Sequence, residues 1–332
     1  MIPASTSLRR PVALRRLFTT LLVATTTACG EGSATGPAAP EAAPVPSPRP
    51  LTVTITGSGV VTSTPAGLTC AGGVCTGTFA AGTSVQLTAA TGSAQRFVGW
   101  SGSCSGVTGC TLTMDRDQVV RATFEDKVEA NGLSREINMF IPDSTLRRIE
   151  AQGFPVFRGA TPPRLERAIF GAPMRLIAST VNGDRLGNTM YDTWLRFSQQ
   201  NDTTLTLRTD YAAGPERGRG LASYVVGTDS AFTVFARLDV VVGSDSALAT
   251  FIFSGRVRSG GVADLHTAAF VIDNRGNRSG YFIPNGTGRV TRDHDRWSPE
   301  TATFPATWSS EAPSTQLRGF TLADDAGLLR RP

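Results

Sequence analysis

The stretch from Phe97 to Phe124, FVGWSGSCSGVTGCTLTMDRDQVVRATF, decides how the N-terminal part of the chain folds. Its landmarks are a glycine–tryptophan pair, a loop between two cysteines, an acidic turn and a closing strand: Gly99-Trp100, Cys104 to Cys110, Asp115 with Asp117, and Val120, Ala122 and Phe124. Alternating apolar residues indicate half-buried strands, and Asp-rich pieces between them indicate turns. We therefore expect short strands packed around Trp100.

The residues before this stretch repeat the same pattern. Leu51, Val53 and Ile55 alternate with threonines, and Val85 and Leu87 resume the alternation after glycine-rich turns. A period of two is that of a strand with one buried face. The whole segment therefore predicts a small β module.

Residues Leu51 to Glu125 resemble the bacterial surface-repeat domain related to the B repeat of internalin-type proteins. The resemblance is carried by the first alternating strand, by Ala81-Gly82-Thr83 before VQLTA, by the F-x-G-W motif ending at Trp100 and by the strand ending at Phe124. That family occurs on exported, surface-attached proteins as a spacer or binding module. The resemblance thus implies a cell-surface location and no enzyme chemistry.

Five cysteines divide into a cluster and a single residue. Cys70, Cys75, Cys104 and Cys110 lie inside the module, and Cys29 stands alone. Four clustered cysteines in an exported chain predict two disulfides, which supplement the limited core of a small module. We expect the local pairings Cys70–Cys75 and Cys104–Cys110. Their spacings are not Cys-x-x-Cys, which argues against a metal site.

Residues 1–28 have the pattern of an export signal. Paired arginines precede LFTTLLVATTTA, an apolar run too short to span a bilayer comfortably. The run ends at Ala28-Cys29-Gly30, which resembles a bacterial lipoprotein signal with Cys29 as the lipidated N-terminus, although Thr26 replaces the usual leucine. Gly30 after the cysteine favours the outer membrane. The alternative is an ordinary secretory signal cut near Ala28.

The charge balance changes once the signal is set aside. The formal charge of the 332-residue chain is +5, and residues 1–28 contain four arginines and no acidic residue, so their removal leaves +1. A nearly neutral chain gives no support for nucleic-acid binding. Residues 29–50 are rich in proline and alanine, which predicts a semi-stiff tether behind the lipid anchor.

Residues 128–297 are predicted to form a larger antiparallel β domain. Strand-like segments alternate with turn-rich pieces: MRLIAST, DTWLRFSQ, TLTLRTDY, LASYVVG, AFTVFARLDVVV, ATFIFSGRVRS, HTAAFVID and GYFIPNGTGRVT. Short connections favour a meander that avoids free edges by closing into a β-barrel or folding into a β-sandwich, and the pattern leaves both open. One short helix is expected near Asp143–Gln152, capped by Asp143 or Ser144 and ended by Gly153. Residues 298–332 are predicted to be a tail.

Parts of this larger domain are similar to an uncharacterised domain found in lipoproteins of environmental bacteria. The similar motifs are Ile141-Pro142-Asp143-Ser144, Tyr191-Asp192 before Leu195-x-Phe197-Ser198, Phe253-Ser254-Gly255, and Ile283-Pro284-Asn285-Gly286-Thr287-Gly288-Arg289. The similarity implies no known activity.

Candidate catalytic and metal-binding residues are few. On an extended strand Asp293 and Asp295 share one face and His294 points to the other, which favours a solvated strand end with Arg–Asp pairs over a metal or hydrolase site. His266 lies among apolar residues, as structural histidines do. Asp273–Gly280 lacks the acidic spacing of a calcium loop, and a turn explains it. We expect no cofactor and no metal.

Tryptophans are the other candidate binding residues. Trp100 and Trp194 fall in strand patterns, which predicts core positions, whereas Trp297 and Trp308 lie in polar segments.

Three functions fit these patterns. The first is an exported, surface-attached lipoprotein that serves as a binding or structural module for a cell-surface polymer or protein. The second is a lipocalin-like carrier, with the larger domain closed around a small apolar ligand. The third, an exported hydrolase using Asp293 and Asp295, lacks supporting motifs, and we expect no enzyme activity.

Overall fold

The computed structural model describes residues 47–305, so Cys29, the predicted export signal and Trp308 lie outside the described residues. The N-terminal module has eight strands: β1 (Arg49–Thr56), β2 (Val60–Thr64), β3 (Thr69–Ala71), β4 (Val74–Phe79), β5 (Ser84–Ala90), β6 (Gln95–Gly102), β7 (Cys110–Thr113) and β8 (Gln118–Asp126). They form a five-stranded sheet in the order β3-β4-β1-β8-β6 and a three-stranded sheet in the order β2-β5-β7. The chain within this module is therefore all β, as expected.

The core of the module comes from the alternating apolar residues. Leu51, Val53 and Val120 of the larger sheet are buried with Val85 and Leu87 of the smaller sheet in one cluster. This is the arrangement that a period of two dictates, because every second side chain points to the same face. Each sheet thus buries one face against the other.

Two disulfides join the cysteines of the module in the pairs Cys70–Cys75 and Cys104–Cys110. The second closes a loop that lies against Trp100. The indole Nε1 of Trp100 donates to the Thr108 carbonyl at 2.9 Å, and its backbone N–H donates to the Gly106 carbonyl at 2.7 Å. Trp100 is therefore buried and ties the loop between the second pair of cysteines to the sheet.

The larger domain contains two helices and eleven strands: α1 (Arg135–Phe140), α2 (Asp143–Ala151), β9 (Ala160–Thr161), β10 (Arg167–Gly171), β11 (Met174–Ser179), β12 (Thr193–Asn201), β13 (Thr206–Ala213), β14 (Glu216–Thr228), β15 (Ala231–Val242), β16 (Asp245–Arg258), β17 (Gly261–Asp273), β18 (Gly288–Asp293) and β19 (Trp297–Pro299). The strands make one sheet in the order β10-β12-β13-β14-β15-β16-β17-β18-β11, with β19 on β17 and β9 on β14.

The ends of this sheet meet, so it is a barrel and not a sandwich. β10 pairs with β12 and β11 pairs with β18, yet β10 and β11 are consecutive in the chain. A second closure passes through β19, which pairs with β17 while the next residue, Glu300, forms a bridge to Ile169 of β10. Counting β10 with β11 and β18 with β19 as single positions, eight strands surround the interior.

Aromatic contacts across the barrel identify its interior. Phe197 on β12 contacts Phe253 on β16 with ring centroids 6.1 Å apart, although β12 and β16 are four strands apart in the sheet. Phe232 lies within 6.1 Å of the same Phe197 ring. An eight-stranded barrel is just wide enough for side chains to fill it or to hold one small ligand.

The outer face of the barrel is covered by the two helices. Phe235 and Ile252 are adjacent in the chain to inward-facing residues, so their side chains point outward. They are buried in one cluster with apolar residues of α1 and α2, namely Ile137, Leu146 and Ile149. None of the helices within the described residues has both the length and the apolar character needed to cross a membrane.

The expectation of a single helix is wrong, because α1 precedes the predicted one. Ser134 caps α1 by accepting a hydrogen bond from the Ile137 N–H at 3.3 Å. Pro142 separates the two helices and is itself the N-cap of α2, so neither Asp143 nor Ser144 caps it. Gly153, at φ +86°, follows the end of α2 as predicted.

Two other expectations need correction. Trp194 is half-buried on the outside of the barrel, where it packs on Phe170 at 4.3 Å, because its neighbours Leu195 and Phe197 take the inward positions. The predicted tail begins too early, since β19 belongs to the sheet and the Thr301 N–H donates to the Ala168 carbonyl at 3.0 Å.

Candidate functional site

A cavity of about 120 Å³ lies inside one end of the barrel. This pocket end is formed by the β13–β14 and β15–β16 hairpins and by the connection between β17 and β18. The interior beyond it is filled by the phenylalanines of the core. Most of the cavity wall is aromatic or aliphatic, with rings from Tyr191, Tyr211, Phe251, Tyr281 and Phe282 and small side chains from Ala247 and Ala249.

Glu216 is the one carboxylate among the described residues that line this cavity. It is the first residue of β14, opposite Ala213, and follows the Gly214-Pro215 turn. The Tyr211 hydroxyl donates to its Oε2 at 2.7 Å, and Tyr281 interacts with the same carboxylate. Burial raises the pKa of Glu216, while its interactions with the two tyrosines oppose that rise.

Arg289 is the one basic residue of the same lining, and its charge is paired. Its Nε and one terminal nitrogen donate to the two carboxylate oxygens of Asp184 at 2.7 and 2.9 Å. The hydrogen bond from Arg289 lowers the pKa of Asp184, so that carboxyl stays ionised at neutral pH. Because this pair is internally neutral, the cavity carries a net negative charge whenever Glu216 is ionised.

The connection between β17 and β18, residues 274–287, folds over the pocket end. Asp245 accepts the Ser279 backbone N–H at 2.8 Å, and Asn277 holds Phe282 by donating to its carbonyl at 2.6 Å and accepting from its N–H at 2.8 Å. Tyr281 and Phe282 are thereby placed over the cavity. The predicted strand GYFIPNGTGRVT is wrong over its first eight residues, because β18 begins only at Gly288.

Tyr191 lies at the mouth of the cavity and is 54% exposed. A Cβ on Gly214 would approach the Tyr191 ring to 2.6 Å, so a glycine is needed where the ring crosses the β13–β14 turn. Tyr191 also interacts with Tyr281 and contributes to the raised pKa of Tyr281, after burial and Glu216. Tyr191, Tyr281 and Glu216 therefore place polar groups in the lining between the mouth and the interior of the cavity.

The predicted acidic pair lies at the opposite end of the barrel. Asp293 is fully buried and accepts a hydrogen bond from the Ser298 hydroxyl at 2.5 Å, so the expectation of a solvated strand end is wrong for this residue. The reason is that β19 packs over it. Burial and the neighbouring Asp295 raise the pKa of Asp293 to about 7. Neither carboxylate lines the barrel cavity.

The histidines are not brought together with these carboxylates as a metal site. His266 is buried beneath Phe154, with ring centroids 5.9 Å apart, and its Nδ1 lies 2.8 Å from the Asp264 carbonyl. Burial lowers its pKa. Across residues 47–305, no group of three or more His, Cys, Asp or Glu side chains is placed to hold a metal ion.

Sequence reasoning missed the polar residues of the cavity. Glu216 follows a turn signal and reads as a surface residue until its register on β14 is known. Tyr191, Ile283 and Arg289 belong to the motifs of the second resemblance and all line the cavity. The shared membership of these residues in the quoted motifs was the sequence feature that could have indicated the cavity.

Comparisons with known proteins assign only the N-terminal module. No curated protein and no solved structure matches the chain. Residues 49–128, about a quarter of the chain, match the family model described as a divergent InlB B-repeat domain. This agrees with the resemblance of Leu51 to Glu125 and indicates a bacterial surface-repeat domain with an extracellular or cell-surface location. Residues 49–128 are therefore similar to a divergent InlB B-repeat domain.

Proposed function

We propose that the protein is an exported, surface-attached binding protein whose barrel holds a small molecule in its pocket end. The repeat domain at residues 49–128 serves as a spacer or adhesive unit. The cavity is the observation that supports this function, because a barrel built only for support has no need of an open interior lined by convergent polar groups. This favours the carrier hypothesis over a purely structural module.

The size of the cavity limits the ligand. An apolar cavity of about 150 Å³ takes up benzene, so a cavity of about 120 Å³ suits a molecule with roughly one ring. We propose binding rather than catalysis, since Asp293 is enclosed and bonded to Ser298 at the opposite end.

Native mass spectrometry of the folded protein from cells that make it tests this function. We expect a small molecule retained at one copy per chain. The Ala247→Phe variant, which fills the cavity, should lose it, whereas Ala222→Phe makes the same change at an exposed position and should keep it. Retention by Ala247→Phe, or a bare protein in all three samples with folding verified by thermal melting, would refute the proposal.

The same proposal places a lipid on Cys29. The basic segment, the short apolar run and the proline-rich tether support it. Cells fed a fatty-acid probe should label the wild-type chain and leave Cys29→Ala unlabelled. Equal labelling of the two chains, or none in the wild type, would show that the protein is held at the surface in another way.

A further inference from the structure

We propose that the barrel cavity selects a small organic cation, an ammonium group attached to an apolar body of about one ring. This rests on the proposed function and names the ligand class of the same cavity. The carboxylate of Glu216 is the counter-charge, and the surrounding aromatic rings hold the apolar body.

The charge of the cavity favours a cation. Glu216 has two oxygens with about four acceptor positions, and the Tyr211 hydroxyl occupies one of them. The remaining positions are free to accept N–H donors of a ligand. Arg289 attracts the Glu216 carboxylate, but its Nε and one terminal nitrogen bond to Asp184, so Asp184, Arg289 and ionised Glu216 together carry one negative charge. An anionic ligand would have to displace that pair or bury a second negative charge beside Glu216.

The aromatic lining favours the same class of ligand. Tyr211 and Phe251 are neighbours with ring centroids 4.7 Å apart, and Tyr281 and Phe282 are 5.5 Å apart on the covering segment. The faces of aromatic rings attract cations, and proteins bind amines in cages of such rings. A carboxylate among aromatic rings matches both ends of an arylalkyl ammonium ion.

The cost of burying Glu216 supports a charged partner. Its carboxylate lies in a half-buried position at the cavity, where desolvation disfavours the ionised form. A cation bound beside it would offset that cost, whereas a neutral ligand would not. The tyrosines that face Glu216 stay neutral, since burial raises the pKa values of both Tyr211 and Tyr281.

Isothermal titration calorimetry with three probes of equal size tests the ligand class. Benzylammonium, benzyl alcohol and benzoate share one ring and differ in charge. At pH 7.5 and low salt, we expect the wild-type full chain to bind benzylammonium at least ten-fold more tightly than either of the others. Glu216→Gln should abolish this preference. Asp229→Asn, which removes an exposed carboxylate on the β14–β15 hairpin at the far end, should retain it.

The outcomes separate the two proposals. If benzyl alcohol or benzoate binds as tightly as benzylammonium, the proposed selectivity for a cation is wrong, while the proposed binding of a small molecule is supported. If no probe binds and the host-derived protein carries no small molecule, both are wrong. Should Glu216→Gln fail to fold, Tyr281→Leu removes one ring and keeps the carboxylate. It should weaken benzylammonium at least three-fold, and unchanged affinity in that variant would overturn the aromatic contribution on which the proposal depends.

Discussion

Asp293 is a buried carboxyl at the place where the barrel closes. It ends β18, and its hydrogen bond to Ser298 holds β19 across the far end. Four residues along the same strand, roughly 13 Å away, Arg289 lines the cavity. One short strand therefore connects the pocket end with the closure.

The raised pKa of Asp293 predicts a pH dependence of stability. The unfolded carboxyl has a pKa of about 3.9, and the folded one about 7, so the folded state binds an extra proton between these values. Its stabilisation is fully present below about pH 4 and is lost as the pH rises through 7. We expect the melting temperature of the wild type, relative to Asp293→Asn, to fall between pH 5.5 and 8.5.

A matched variant identifies the source of that shift. Asp295→Asn removes the neighbouring carboxyl and should move the midpoint of the pH dependence to a lower value, because a like charge beside Asp293 helps to raise its pKa. Parallel melting curves of wild type and Asp293→Asn across the whole range would contradict a titrating Asp293.

At the scale of elements, the helical pair is the support that the barrel needs on one outer face. Leu146 of α2 is completely buried in the cluster that includes Phe235 and Ile252. Met139 of α1 is 50% exposed. The two side chains are of similar size but differ in burial, which makes them a matched pair.

Truncation of this pair should have unequal costs. Leu146→Ala removes a fully buried side chain and should lower the free energy of unfolding by about 2 to 5 kcal/mol, whereas Met139→Ala should change it by less than about 0.5 kcal/mol. Urea unfolding of the full chain, followed by far-ultraviolet circular dichroism, measures both. Equal losses in the two variants would mean that α2 does not pack on the barrel as described.

Elements were predictable where a local pattern decides them. The strands from Ala231 to Asp273 follow from alternation and tight turns. α1 was missed because it has only six residues and its cap, Ser134, precedes no long apolar period. A strand pattern alone could not predict whether Trp194 points into or out of the barrel. Alternate residues of a strand point to opposite faces, and only the closed sheet decides which face is the interior.

In the molecule as a whole, two β units follow one another along the chain, and a family model matches the first of them. The repeat domain was predictable because its F-x-G-W motif and cysteine loop are local, and the family model matches there. Barrel closure was not, since it depends on pairings between β10, β17 and β19 that are distant in sequence. The cavity exists only because the barrel closes. Glu216 could therefore be recognised as a cavity residue only after the closed barrel was known.

The central claim is that the pocket end of a closed barrel holds a small molecule. A crystal structure of the full chain purified from cells that make it tests this most directly. We predict continuous density for a bound molecule between the Glu216 carboxylate and the Phe251 ring, enclosed by Tyr211 and Tyr281. A barrel end filled by these same side chains, with no space beside Glu216, would contradict the account.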